Sequence, residues 1–287
     1  MSISSFEELL SLLSPYLQKR SYKGRIPVMP LEMIGLTIRF LATGNEIRTI
    51  HLDYYRGVST VAKIIRLVCS AIWKHCLNAN IPKITQQLFE EIAADFAKFI
   101  YVDIGAYGKE SDSTIFHNTK LYDLQIRGDL PTPISRPLPG FQEPVPFVFV
   151  GDEAFSISNN VMRPYSGKHL SVKQRVFNYR LSRARRYVEC AFGILANKWR
   201  IFHRPINVSY DFAIDIVKAC CILHNFVLNR DGLETPVEMV IDDSELQLPI
   251  QQRLNVGSQV NANIIRNEYS DYFTSEVGAL SWQLQKI

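Results

Sequence analysis

The stretch that decides the fold is Val145-Pro146-Phe147-Val148-Phe149-Val150, which Gly151-Asp152 follow at once. An unbroken run of apolar, β-branched and aromatic residues is typical of a strand buried on both faces, and such strands occur mostly in parallel sheets flanked by helices. Open α/β sheets place their chemistry just past the carboxyl ends of these strands. We therefore predict an α/β domain with Asp152 at the edge of its site.

The chain before Phe99 has a helical pattern. The apolar residues of Leu31–Leu41 are dense enough for a buried helix, and Ala42-Thr43-Gly44-Asn45 predicts its end. A second helix is expected from an N-cap at Ser59 to about Cys76, and a third from a cap at Thr85 through Phe96. Short helices with tight connections are typical of a helix-turn-helix and equally of a plain helical bundle.

After Phe99, short apolar runs alternate with longer helical patterns. We predict, in order, a strand at Ile100–Gly105, a short helix at Ile115–Leu124, an irregular connection with six prolines over residues 131–146, a long helix at Asn178–Phe202 and a further helix at Asp211–Leu228. Beyond Arg230 the sequence is acid-rich and weakly periodic, so we expect a loosely packed tail.

Composition limits the class of protein. The 287 residues are 47% hydrophobic and 21% charged, which favours a globular chain over a disordered or coiled-coil one. No apolar run approaches the roughly 20 residues that span a bilayer. The five cysteines lack paired metal-ligand spacing, which favours reduced thiols inside the cell. Cys220-Cys221 with His224 invites comparison with a zinc site, but adjacent cysteines on an apolar helix are more often core residues.

The formal net charge of +4 hides a strong asymmetry. Between Val161 and Pro205 there are eleven basic residues and one acid, Glu189, so this basic block carries +10 and the rest of the chain −6. Such a block creates a local field that attracts polyanions and releases their counterions. The alternative is a solvated basic surface without a ligand.

Asp152 and Glu189 are the acids whose setting points to chemistry. On a helical wheel Glu189 lies about 100° from Val188, at the edge of the apolar stripe, so we expect it at the rim of a cleft. Carboxylates within a basic field are the arrangement in which Mg²⁺ or Mn²⁺ is held beside nucleic-acid phosphates. The alternative is structural: Asp152 caps a helix, and Glu189 forms salt bridges with Arg185 and Arg186 at i−4 and i−3. Spacing alone leaves both alternatives open.

The sequence from Ile100 onward resembles the DDE nuclease domain of the Harbinger (PIF/Harbinger) transposase superfamily and its domesticated, transposase-derived nucleases. The matching motifs are, in family order, Val102-Asp103-Ile104-Gly105 with Gly108 and Ser111-Asp112; Val150-Gly151-Asp152-Glu153-Ala154-Phe155; Arg163-Pro164-Tyr165; Phe177-Asn178-Tyr179-Arg180-Leu181-Ser182; Arg185-Arg186-Tyr187-Val188-Glu189-Cys190-Ala191-Phe192-Gly193; Lys198-Trp199-Arg200; and Leu223-His224-Asn225. Residues 6–96 also resemble the family's N-terminal helical region.

This resemblance implies an N-terminal helical region followed by a mixed-sheet domain similar to RNase H. By motif, Asp152 is the second acid of the catalytic triad and Glu189 the third, both as ligands of Mg²⁺ or Mn²⁺, while Asp103 and Asp112 match acids outside the triad. The family also implies DNA as a partner, a separate Myb/SANT-like DNA-binding protein, and a nuclear location that extends to the cytoplasm. Residues expected at DNA phosphates are Arg163, Lys173, Arg180, Arg183, Arg185 and Arg186.

One departure from the family matters for the chemistry. Family members carry the first catalytic Asp in an Asp-Gly-(Lys or Thr)-His segment on the first strand, whereas this chain passes directly from Phe99 into Ile100-Tyr101-Val102-Asp103. We therefore expect the first strand and most of the second to be missing. Two carboxylates leave the metal short of ligands, so weak metal binding and strongly impaired cleavage are expected, unless Asp103 or Asp112 substitutes. An omitted exon, an error in the predicted gene and a genuine loss would all give this junction.

Three segments follow from these patterns: a helical region at 1–98, a partial DDE endonuclease domain at 99–230 and an acidic tail at 231–287. Two functions fit them. The first is an impaired, metal-dependent DNA endonuclease with Asp152 and Glu189 as metal ligands. The second is a non-catalytic descendant of the transposase that binds DNA or protein through its basic face and helical region.

Overall fold

The computed structural model describes residues 1–18, 27–92, 98–232 and 260–287. The helices are α1 (Ile3–Leu17), α2 (Pro30–Thr43), α3 (Ile47–Tyr54), α4 (Val58–Asn80), α5 (Gln86–Ile92), α6 (Asp112–His117), α7 (Lys120–Arg127), α8 (Val172–Lys198), α9 (Tyr210–Asp231) and α10 (Val260–Thr274), with 3₁₀ helices at Arg200–His203 and Gln283–Lys286. The strands are β1 (Arg136–Pro137), β2 (Pro144–Val145), β3 (Phe149–Val150) and β4 (Val161–Met162). This mixture of helices and a few short strands is consistent with the predicted α/β class. Among the described helices, none combines the length and apolar character that a bilayer crossing requires.

Contacts divide the chain into two compact units. The first unit comprises the described parts of Met1–Lys83, Ala97–Gly105 and Cys190–Glu238, and the second those of Ile84–Phe96, Ala106–Glu189 and Met239–Ile287. Each unit draws on more than one of the segments 1–98, 99–230 and 231–287, so that sequence-based division stays a prediction.

The first unit is helical, and its core lies where α1, α2 and α9 pack against α4. The predicted helix at Leu31–Leu41 is confirmed within α2, which starts at Pro30 and ends at Gly44 in the left-handed conformation with φ 65°. A Cβ at Gly44 would lie 2.6 Å from the carbonyl oxygen of Arg200. Close approach of two backbones therefore requires glycine here as much as the helix cap does.

Two further helix predictions are confirmed with shifted ends. The helix expected from an N-cap at Ser59 to about Cys76 is α4, whose N-cap, Gly57, lies two residues earlier and which runs on to Asn80. The hydroxyl of Thr85 accepts a hydrogen bond from the Leu88 amide at 3.2 Å, so the predicted cap precedes α5. The expected continuation of this helix to Phe96 falls in residues 93–97, which lie outside the described residues.

The predicted strand at Ile100–Gly105 is wrong, since these residues are irregular. The side chain of buried Asn225 accepts a hydrogen bond from the Phe99 amide at 3.0 Å and donates one to the Phe99 carbonyl at 2.6 Å. The same amide group donates to the carbonyl of Asn80 at 2.8 Å. A side chain thus satisfies backbone groups that a neighbouring strand would otherwise bind.

In the second unit, the predicted strand at Val145–Val150 is divided between two small sheets. β2 pairs antiparallel with β1, whereas β3 pairs parallel with β4, with Phe149 opposite Val161 and Val150 opposite Met162. Pro146 lies between the two pairings and has no amide hydrogen to donate to a ladder. The side chains of Phe149 and Val150 are only partly buried, so the expected burial of this run on both faces is also wrong.

The core of the second unit joins β4, α8 and α10. Ile157, Met162, Phe177, Leu181 and Ala262 form its buried cluster, against which Val150 packs. Residues 260–287 are therefore not the loosely packed tail that the sequence predicted. The rest of that segment, residues 233–259, lies outside the described residues.

Helix α8 begins six residues before the predicted start at Asn178, and the 3₁₀ helix at Arg200–His203 follows it. Val188 and Phe192 were expected on the buried, apolar stripe of this helix. They are 47% and 54% exposed, so the predicted stripe is wrong at both positions. The buried residues of α8 change position along the helix, because Phe177 and Leu181 belong to the core of the second unit, whereas Ala191, Leu195 and Trp199 belong to that of the first.

Downstream, α9 confirms the helix predicted at Asp211–Leu228. The helix predicted at Ile115–Leu124 is two helices, α6 and α7, because the hydroxyl of Thr119 caps a new helix by accepting from the Tyr122 amide.

Replacing Asn225 tests the interaction between α9 and the segment at Phe99. Asn225→Ala leaves the Phe99 amide and two carbonyl groups without their partners, so the free energy of unfolding should fall by about 2–4 kcal/mol. Urea denaturation measures this loss. Asn197→Ala, at an exposed position of α8, is the control and should change stability by less than about 0.5 kcal/mol. Equal effects of the two variants would contradict the assigned role of Asn225.

Candidate active site

Asp152 lies directly beyond the end of β3, where the sequence predicted it. The parallel pairing of β3 with β4 continues into Gly151, whose amide donates to the Met162 carbonyl at 2.9 Å. One oxygen of Asp152, Oδ1, accepts a hydrogen bond from the Ala154 amide at 2.8 Å, which fixes the carboxylate in a local turn. The second oxygen, Oδ2, faces Arg185 on α8 at 3.7 Å.

Arg185 connects the two predicted acids. Its Nη2 atom lies 3.7 Å from Asp152 Oδ2 and 3.7 Å from Glu189 Oε1, and Glu189 is one helical turn further along α8. These distances exceed those of a hydrogen bond, so both contacts are charge pairs. The sequence left open a structural alternative, in which Asp152 caps a helix and Glu189 forms salt bridges with Arg185 and Arg186. The observed pairing of Glu189 with Arg185 at i−4 is part of that alternative, and the turn at Asp152 is close to the expected cap. The structure therefore brings the two acids together around a cation that belongs to the chain.

The two contacts also limit the separation of the acids. Because Asp152 Oδ2 and Glu189 Oε1 each lie 3.7 Å from one nitrogen atom, they are at most twice that distance, 7.4 Å, apart. Mg²⁺ binds oxygen ligands at about 2.1 Å and often takes only one or two carboxylates together with substrate phosphates. Two carboxylates are the donor set with which Mg²⁺ is held when its remaining ligands come from water or phosphate. The pair does not fit the three-acid cluster of a complete triad.

A third ligand is not found near this pair. Within the described residues, no group of three or more His, Cys, Asp or Glu side chains is placed to hold a metal ion. Asp112 is exposed in the first turn of α6, and Asp103 is exposed in the first unit. Neither belongs to a metal-binding group among the described residues.

The cysteines of α9 are core residues, as the sequence favoured. Cys220 and Cys221 are buried at 0% and 5% exposure. Burial raises the pKa of the Cys221 thiol to about 11 and that of Cys220 well above its usual value. Such thiols are poor metal ligands and poor nucleophiles at neutral pH, because both roles need the thiolate.

Three of the basic residues expected at DNA phosphates contact the C-terminal segment, residues 260–287. Lys173 forms an ion pair with Asp271 of α10. The guanidinium of Arg180 lies 4.6 Å above the Phe273 ring and donates to the Gly278 carbonyl at 3.2 Å. Arg183 lies 5.4 Å above the Trp282 ring. Burial is the main cause of a lowered pKa at Arg180, and the nearby charge of Arg183 lowers it further.

Of the other three expected phosphate contacts, Arg163 and Arg185 lie near Asp152. Arg163 donates to the Phe155 carbonyl at 3.3 Å, in the turn that contains Asp152. Arg185 faces the two carboxylates, and Arg186 is partly exposed beside it on α8. Arg163 and Arg185 are therefore better placed than Lys173 or Arg180 to meet a phosphate near the paired acids.

Other hydrogen bonds that hold this region together, which do not involve Asp152 or Glu189, were not predicted from the sequence. Buried Asn178 accepts from the Tyr165 amide at 2.7 Å and donates to the Tyr165 carbonyl at 2.9 Å, which joins α8 to the segment after β4. The Tyr165 hydroxyl in turn donates to Asn267 of α10 at 2.7 Å. The motifs around Tyr165 and Asn178 could have indicated the contact between these two residues. The weak periodicity of residues 260–287 gave no indication of the contact between Tyr165 and Asn267.

We predict that Arg180 stabilises the fold through its contacts with the C-terminal segment. Arg180→Ala removes a cation–π contact and a hydrogen bond to a carbonyl, so we expect the free energy of unfolding to fall by about 1–3 kcal/mol. Arg175→Ala, at an exposed position of the same helix, removes the same charge and should cost less than about 0.5 kcal/mol. Chemical denaturation of the two variants measures both values. An unchanged stability of the Arg180 variant would show that its contacts with the C-terminal segment contribute little.

Comparison with known proteins finds two similarities. Residues 91–225 match the sequence model described as DDE superfamily endonuclease. The chain is similar to "Protein ALP1-like" of Arabidopsis thaliana, with 26% identity over 179 residues that cover 61% of this chain and 42% of that protein. It thus spans less than half the length of this curated relative. No solved structure gives a significant match. Asp152 and Glu189 lie inside the matched range, which covers a little less than half of the chain, and both comparisons support the resemblance of its motifs to the DDE endonuclease superfamily.

Proposed function

We propose that the chain is a Harbinger-type, transposase-derived DNA endonuclease whose metal-dependent cleavage of phosphodiester bonds is strongly impaired. One observation carries this proposal: two family acids from distant parts of the chain, Asp152 and Glu189, face the same nitrogen atom at 3.7 Å. The match to the endonuclease family over residues 91–225 supports the reaction class.

The proposed chemistry assigns each acid one task. A divalent ion, when bound, would polarise the phosphate and lower the pKa of the attacking water. Asp152 and Glu189 would hold this ion, each through an oxygen that now faces Arg185. The turn at Asp152 would keep its carboxylate oriented, since the Ala154 amide binds the other oxygen.

The impairment follows from the missing first acid. We propose that the first strand of the family fold, its Asp and most of the second strand are absent, since the sequence passes directly from Phe99 into Ile100-Tyr101-Val102-Asp103. Two carboxylates supply less negative charge than three, so Mg²⁺ or Mn²⁺ should bind weakly and depend on phosphate oxygens for further ligands.

DNA is the proposed substrate, and its phosphates are the proposed ligands of the basic block. Arg163, Arg185 and Arg186 are the basic residues nearest the paired acids along the elements that carry them, so we assign phosphate binding to these three first. A nuclear location and a separate Myb/SANT-like partner that supplies sequence recognition complete the proposal by analogy with the family.

A second candidate function is a non-catalytic, DNA-binding or protein-binding descendant of the transposase. The observation that favours it is again Arg185, because its guanidinium already supplies a positive charge to both acids. A site that is partly neutralised from within can persist without a metal ion while the basic surface continues to bind a polyanion.

A plasmid-nicking assay separates the two functions. The chain is incubated with supercoiled plasmid and Mn²⁺ or Mg²⁺, and we expect slow nicking that falls to the metal-free level in Asp152→Ala and in Glu189→Ala, because each variant removes one of only two metal ligands. Asp129→Ala, an exposed acid in the loop after α7, is the control and should nick at the unaltered rate.

The pattern of results decides between the candidates. Nicking that is lost in both variants excludes the non-catalytic function. No nicking by the unaltered chain, with DNA binding that weakens steeply as salt rises, excludes the endonuclease and favours the second candidate. Sequencing the transcript across Phe99 and Ile100 adds an independent test, since an Asp-Gly-Lys-His-like segment found there would restore the triad.

A further inference from the structure

The guanidinium of Arg185 lies where a cation shared by Asp152 and Glu189 would lie. One of its nitrogen atoms is 3.7 Å from an oxygen of each acid. The three side chains differ in exposure, at 26% for Arg185, 31% for Asp152 and 62% for Glu189. Arg185 is therefore the most enclosed of the three.

The buried residues that precede Arg185 on α8 hold it in this position. Residues 177, 181, 185 and 189 follow one another at intervals of four on α8, so they form a single row along the helix. Phe177 and Leu181 are buried in the core of the second unit with Met162 of β4. The row thus passes from the core to the paired acids, and Arg185 is its first charged member.

The contacts of Arg185 with the acids are weak enough to exchange. Both distances of 3.7 Å exceed the usual 2.7–3.2 Å of a hydrogen bond to nitrogen. Ion pairs that are partly open to solvent contribute only about 0.2–1 kcal/mol each. A divalent ion, with twice the charge and a preference for carboxylate oxygen, can displace a guanidinium that is held in this way.

We propose that Arg185 is an internal counter-cation that holds Asp152 and Glu189 together in the absence of a divalent ion and lowers the affinity of the pair for that ion. This inference rests on the proposed function, in which the two acids are the metal ligands. Entry of the ion releases the guanidinium, which is then available to a phosphate group. Arg185 is thus a positioning residue that sets how readily the site is filled.

Direct titration with Mn²⁺ tests the proposal without relying on cleavage. The concentration of free Mn²⁺ is followed by electron paramagnetic resonance in the presence of the unaltered chain, Arg185→Gln, Arg185→Lys and Arg175→Gln. Arg185→Gln should bind Mn²⁺ about tenfold more tightly, because two weak charge pairs no longer compete. Arg185→Lys keeps the competing charge and should stay within about twofold of the unaltered chain. Arg175→Gln removes an equal charge from an exposed position of the same helix and should also stay within about twofold.

A second measurement needs no substitution at Arg185. In the unaltered chain, the NMR signal of the Arg185 side-chain Nε–H group should shift as Mg²⁺ is added, and Glu189→Gln should abolish the shift. An unmoved Arg185 signal together with equal Mn²⁺ affinities of the unaltered chain and Arg185→Gln overturns the proposal.

The two proposals can fail separately. Tighter Mn²⁺ binding by Arg185→Gln without any plasmid nicking supports the counter-cation and excludes the endonuclease. Metal-dependent nicking by the unaltered chain, with the same Mn²⁺ affinity in Arg185→Gln, supports the endonuclease and overturns the counter-cation.

Discussion

The packing of α8 on the β3–β4 pair is the interaction on which the site depends. Phe177 and Leu181 bury their side chains with Met162, and Val150 of β3 packs against the same cluster. Because Asp152 follows Val150 by two residues and Arg185 follows Leu181 by one helical turn, this apolar contact fixes where both charged groups lie. The polar site therefore needs no strong polar contact of its own. Its two charge pairs at 3.7 Å can remain weak and exchangeable because the hydrophobic cluster supplies the positional order.

Helices were more predictable from the sequence than strands. α2, α4 and α9 each carry a dense apolar pattern with recognisable ends, and local sequence determines most of this signal. The run Val145–Val150 is equally apolar, yet its pairing depends on Pro146 and on segments from elsewhere in the chain. The segment after Phe99 failed as a strand for a related reason, since a side chain 126 residues away, that of Asn225, binds its backbone. Partners at such separation leave no periodic signal in the sequence.

The proximity of Asp152 and Glu189 agrees with the sequence motifs, whereas the contacts of the surrounding basic residues were not predicted. Family motifs identified Asp152 and Glu189, and the structure brings them to one guanidinium. The basic block, by contrast, was interpreted from its net charge, which does not distinguish a phosphate ligand from a structural cation. Arg180 and Arg183 lie over aromatic rings of the C-terminal segment about 100 residues away, and that segment has little helical periodicity. A guanidinium can stack on a ring and bind a carbonyl as well as a phosphate, so charge counts alone overestimate the surface open to DNA.

In the proposed function, charge balance at the paired acids would link metal binding to DNA binding. Asp152, Glu189 and Arg185 together carry a formal charge of −1, which attracts a divalent cation much less than three unpaired carboxylates would. A phosphate group near Arg185 changes this balance in two ways, because it draws the guanidinium away from the acids and adds oxygen ligands for the ion. Binding of the phosphate would then raise the affinity for the ion, and binding of the ion would raise the affinity for the phosphate, as linkage requires when both displace the same group. In the proposed function, an incomplete triad of this kind would be a site whose metal affinity depends on the nucleic acid, whether or not the bond is cut.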